Sequence, residues 1–60
     1  MNIKKQILKE KRGDLERYRV IEEYLSYCIS NGDKGKEDEL KQVQMNIDEL
    51  ENIIKFLEQR

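Results

Sequence analysis

The sequence has no histidine, proline or tryptophan and only one cysteine, and it also lacks alanine and threonine. Several of these absences exclude something. Without histidine, no side chain titrates unperturbed near neutral pH, so general-base catalysis lacks its usual agent. Cys28 has no histidine to activate it and no second cysteine to bridge. His-assisted thiol catalysis, an intrachain disulfide and a Cys/His zinc site are thereby excluded. Without alanine, helices cannot approach as closely as small-residue interfaces allow, so their packing should sit toward the wide end of the ~8–10 Å range. Long apolar runs are missing too. No membrane span, signal peptide or lipidation motif is visible, and the chain opens on Met1. A cytoplasmic location without membrane contact is expected, and a lone free thiol suits a reducing compartment.

What is present is charge. Charged residues make up 42% of the 60, yet the net charge is −1. The apolar residues are periodic rather than sparse, which argues for folded helices over disorder. A chain this short buries only about 60% of the surface its unfolded state exposes, so an isolated core is marginal. With disulfide and zinc excluded, a second chain is the expected source of the missing stability. The richness in Lys, Ile, Asn, Glu and Tyr resembles the usage of AT-rich genomes and points to a low-GC bacterium, a phage or another mobile element.

The clearest pattern is in the second half. Leu40, Val43, Ile47, Leu50, Ile54 and Leu57 follow an unbroken 3-4 spacing, with Ile53 widening the seam. This predicts a coiled-coil or bundle helix over 37–59. Glu37, Asp38 and Glu39 place negative charge on its first turn, where the helix dipole favours it.

In the first half, Ile3, Ile7, Leu8, Leu15, Tyr18, Ile21, Leu25, Cys28 and Ile29 share one arc of about 160° when placed at helical intervals. The phase holds from Ile3 to Ile29 and predicts one helix over 3–30. Gly13 is where a kink or break would fall, since glycine costs about 1 kcal/mol inside a helix and Asp14 could cap a new one. Lys11 and Asp14 also fall within the apolar arc. Buried among its neighbours, Cys28 is expected to be a small core hydrophobe.

Between the halves stands Ser30-Asn31-Gly32-Asp33-Lys34-Gly35-Lys36. Asn31-Gly32 is a helix terminator and Gly35 a second flexible point. The glycines are too close together for a Walker phosphate loop, Lys36 is followed by Glu37 rather than Ser or Thr, and a helix precedes it instead of a strand. The carboxylate spacing of a calcium loop is absent as well. Residues 31–36 are therefore a turn. The expected fold is all-α, a single antiparallel two-helix hairpin. One hairpin covers only part of each apolar arc, and two would complete a four-helix bundle, so a homodimer is the expected assembly. Its core is assigned to Leu15, Tyr18, Ile21, Leu25 and Ile29 with Leu40, Val43, Ile47, Leu50, Ile54 and Leu57.

No catalytic residue, cofactor or metal ligand is assigned. Glu22-Glu23, Glu37 to Glu39 and Asp48-Glu49 sit where solvated faces and first turns should be. Through Arg19 the chain holds seven basic and three acidic residues; from Val20 onward it holds five and ten. Lys4, Lys5, Lys9 and Arg12 could thus contact nucleic-acid phosphates. The second helix, however, returns Glu51 and Glu58 to the same region, so charge pairing between the helices accounts for the asymmetry equally.

Val20, Tyr24 and Tyr27 fall opposite the main arc at i, i+4 and i+7, and Met45 and Phe56 do likewise on the second helix. Aromatic residues on an outer face are enriched at protein interfaces. Either a partner protein or a second copy of this chain would cover the triplet.

The hairpin architecture is similar to that of small bacterial, plasmid and phage regulators, among them sporulation phosphatases that act on a response regulator. The Ser-Gln-x-Leu-Asp segment of that group has no counterpart in Val43–Ile54, so no residue role carries over. The function expected is a non-enzymatic module that binds and modulates a larger protein as inhibitor, antagonist or adaptor. A dimeric nucleic-acid-binding regulator is the alternative.

Overall fold

The computed structural model describes residues 2–59. Helix α1 spans Ile3–Ser30 and helix α2 spans Glu37–Glu58, with a single 3-10 turn at Lys34–Lys36 between them. The two helices pack along their lengths into an antiparallel hairpin about 48 Å long and 15 Å by 11 Å across.

Helix α1 runs unbroken through Gly13. The apolar arc keeps one phase on both sides of the glycine, and burying that arc along one partner helix outweighs a single local cost of about 1 kcal/mol. Asp14 does not cap a new helix. Its Oδ1 accepts from Arg17 Nη2 at 3.1 Å, one turn on. The true cap is Asn2, whose side chain accepts from the backbone N–H of Lys5 at 3.2 Å.

The end of α1 explains the reversal of the chain. Gly32 N–H donates to Ile29 C=O at 3.0 Å and Asp33 N–H donates to Cys28 C=O at 3.0 Å. This pair of bonds is a Schellman cap, and it requires a left-handed residue, supplied by Gly32 at φ +97°. Asn31 adds a side-chain bond from Nδ2 to the Tyr27 carbonyl at 2.9 Å. Three acidic residues then open α2, which has no side-chain cap, so the dipole interaction stands in for one.

The core lies at the α1–α2 contact. Leu25, Val43 and Ile47 are buried there, with Leu15, Tyr18 and Leu40 packed against them. Leu50 and Ile54 carry the buried seam toward the end of α2. Ile29 and Leu57 are half-buried, as is Cys28. Ile21 departs from the expectation: it is 43% exposed and lies outside the hairpin core. An apolar arc of about 160° is wider than one neighbouring helix can cover, so its edge stays open. Ile3 and Ile7 are exposed on the same side of the arc as Ile21, while Lys4 and Leu8 in the same turns are half-buried.

Among the described residues no polar or charged side chain is buried, and no helix is long and apolar enough to cross a membrane.

Candidate functional site

Where one helix meets only one other, half of its surface has no protein neighbour, and the residues placed there define what the molecule can touch. On α1 the last three turns before the Schellman cap present Val20, Tyr24 and Tyr27 to the outside. They are 64%, 60% and 68% exposed, values that leave no part of the hairpin to cover them. The 3.6-residue repeat stacks all three on one face, and the capped turn holds that face rigid to its end. Ile21 adjoins them on the side toward α2, so the uncovered apolar surface is broader than the triplet alone.

Tyr24 has a local partner. Its phenol is held above the ordinary value of 10.0, chiefly by the hydrogen bond with the Cys28 side chain one turn on and by repulsion from that group's ionised form. Lys36, across the turn, pulls in the opposite direction. Tyrosines in this setting combine large rigid contact area with a polar tip, the combination that anchors protein interfaces. Met45 and Phe56 are also exposed. They stand eleven positions apart along α2 and form no comparable cluster.

The basic end is organised differently. Lys5, Lys9 and Arg12 line one open concavity of about 670 Å³ together with Asn2 and Gln6. Lys4 points to the other side, where it borders Phe56, Leu57 and Gln59. The four basic residues singled out from the sequence are therefore not one group. Arg12 in addition pairs with Glu58, and Arg19 Nη2 pairs with Glu51 Oε2 at 2.8 Å. Glu51 and Glu58 thus neutralise two cations of the N-terminal half, and among the described residues Lys5 and Lys9 of that patch have no ion-pair partner.

Sequence reasoning did not identify the Tyr24–Cys28 contact, although the i, i+4 spacing signals it. The sequence places Asp14 within the apolar arc but does not signal its pairing with Arg17 one turn on. Among the described residues, no group of three or more His, Cys, Asp or Glu side chains is arranged to hold a metal ion. No family model, no curated protein and no solved structure matches the chain.

Proposed function

We propose that this protein is a non-enzymatic interaction module that binds a larger protein through the exposed end of α1 and modulates it as inhibitor, antagonist or adaptor. The observation that carries the reading is the cluster of Val20, Tyr24 and Tyr27, uncovered on one face of a rigid, capped helix end. Large apolar residues scattered singly on a surface are ordinary, whereas three on one face beside a fourth, Ile21, form a patch that water disfavours. Docking would follow the helix-face mode. The aromatic rings would enter a groove of the partner, and the flanking charges Glu23 and Arg17 would set the orientation.

The nucleic-acid alternative draws on less. Arg12 is engaged by Glu58 and Lys4 lies apart, so two lysines remain to supply the phosphate contacts. It calls for binding that weakens steeply with salt. Absence of any anisotropy change with labelled DNA or RNA at low ionic strength would remove it.

The docking reading is tested with Val20→Ser/Tyr27→Ser in the native host. Both positions are exposed, so helicity by circular dichroism should be retained. The expected result is loss of a discrete co-purifying protein that the unaltered chain retains. An unchanged set of co-purifying proteins would sink the assignment.

A further inference from the structure

Asparagine is a chemically labile residue, and the residue after each one in this chain sorts them. Asn2, Asn46 and Asn52 are each followed by isoleucine, whose branched side chain shields its own backbone nitrogen. Asn31 is followed by Gly32, which has no side chain to shield it. The side-chain carbonyl carbon of an asparagine lies within five-membered-ring reach of the next backbone nitrogen. Asn31 and Gly32 are both exposed, so the water that such a ring needs to reopen has access.

The cap at the end of α1 holds this pair in a geometry that does not react. Gly32 N–H, on the nitrogen that would attack, donates to the Ile29 carbonyl at 3.0 Å. Asn31 Nδ2 donates to the Tyr27 carbonyl at 2.9 Å, which draws the side chain back along the helix. The backbone of Asn31 stands at φ −93° and ψ 13°. At that ψ its Cβ is rotated far from the Gly32 nitrogen about the Cα–C bond, whereas ring closure needs the two nearly eclipsed. Turning ψ to bring them together pulls Gly32 N–H off Ile29. It also pulls Asp33 N–H off the Cys28 carbonyl, a bond of 3.0 Å. The ring therefore closes only from an opened cap.

We propose that Asn31 is a site of spontaneous covalent conversion, gated by opening of the Schellman cap. In the opened turn the Gly32 nitrogen gives its proton to a solvent base and bonds to Asn31 Cγ. The Cγ–Nδ2 bond breaks and that nitrogen leaves as ammonia, which closes a succinimide ring. Water then adds to one of the two ring carbonyls. Attack at Cγ restores the ordinary backbone with aspartate at position 31. Attack at the main-chain carbon leaves an isoaspartyl link, in which the chain runs through Cγ. Overall one water enters and one ammonia leaves, with no change of oxidation state.

Either product weakens the cap that delayed it. Both replace the donor to the Tyr27 carbonyl by a carboxylate beside Asp33. That charge sits at the C-terminus of α1, where the helix dipole disfavours it. The isoaspartyl form also adds a backbone atom between the Cys28 and Ile29 carbonyls and the amides of Gly32 and Asp33 that they accept from. The spacing of the Schellman bonds is then lost. Conversion is one-way, since the ammonia escapes to solvent, and it loosens the turn that ends α1. The inference stands on this turn alone and does not rest on the docking reading.

Ageing the full chain tests it, with the unaltered protein held at neutral pH and one temperature, in buffer and in guanidinium chloride sufficient to unfold it. Peptide mapping by mass spectrometry should place the change from NH2 to OH at position 31, with Asn2, Asn46 and Asn52 retained. Conversion should run at least about tenfold slower in buffer than in denaturant, because only the opened fraction reacts. Leu25→Ala leaves Asn31-Gly32 intact and loosens the hairpin. Its rate in buffer should rise in step with the unfolded fraction read by circular dichroism. The isoaspartyl chain, separated by its added negative charge, should unfold at a lower denaturant concentration than the unaged chain. Equal rates in buffer and denaturant would overturn the inference, as would a Leu25→Ala rate that ignores the unfolded fraction. Conversion in denaturant no faster at position 31 than at 46 or 52 would overturn the site itself. An isoaspartyl chain as stable as the unaged one would contradict its coupling to the cap.

Discussion

Arg19 Nη2 lies 2.8 Å from Glu51 Oε2, and one heptad away Arg12 meets Glu58 on the same edge of the hairpin. Together the two pairs link α1 to α2 along one side of the molecule. All four side chains are about half exposed, so solvent screens each pair to about 0.2–1 kcal/mol. Glu51→Gln should therefore lower stability by no more than about 1 kcal/mol in urea unfolding, and high salt should erase the difference. A larger, salt-independent loss would mean that solvent does not screen the pair.

Leu25 is the most buried side chain, at 3% exposure, and packs on Val43 and Ile47. Leu25→Ala should cost about 2–5 kcal/mol, which for a chain of 60 residues is much of the available stability. Thermal melts followed at 222 nm should show a largely unfolded variant at 37 °C. Such comparisons need one fixed protein concentration, because any self-association makes the midpoint concentration-dependent.

Gly13 and Gly32 predict opposite outcomes for one substitution. A Cβ at Gly13 meets nothing within 4 Å, inside a regular helix, so Gly13→Ala should stabilise by about 0.5–1 kcal/mol. At Gly32 the space is open too, but φ is +97°. Gly32→Ala should destabilise by about 1 kcal/mol or more through the Schellman cap. Equal effects at the two positions in chemical denaturation would contradict the capped turn.

Tyr24 connects pH to the exposed face. Its phenol is raised above 10.0 mainly through Cys28, so the folded state holds the proton more tightly than the unfolded state. The resulting contribution to stability is fully present below the unfolded value near 10 and is lost as pH rises through the raised folded value. Cys28→Ala should bring the Tyr24 transition down toward 10 in ultraviolet titration, with Tyr24→Phe identifying which transition belongs to it. An unchanged Tyr24 transition in the alanine variant would remove Cys28 as the cause.

Most of the fold was legible in the residues, for identifiable physical reasons. The spacing of Leu40, Val43, Ile47, Leu50, Ile54 and Leu57 is a pure helical period, and Asn31-Gly32 stops a helix almost wherever it occurs. Continuity through Gly13 could be read from the phase of Leu8 and Leu15 on its two sides. Ile21 was misplaced because a helical wheel reports where apolar residues gather and not how much of that arc a neighbour covers. Ile3 and Ile7 lie on the same uncovered side of the arc. The face at Val20, Tyr24 and Tyr27 was visible as leftover apolar residues.

The proposed function requires another protein to cover the exposed end of α1. Photo-crosslinking from position 27 tests it most directly, with a photoreactive residue replacing Tyr27 in the native host and the same residue replacing Asn52 on the outer face of α2 as control. The prediction is one discrete adduct with a larger protein from position 27 and none from position 52. No adduct from position 27, or the same adducts from both positions, would rule out docking through this face.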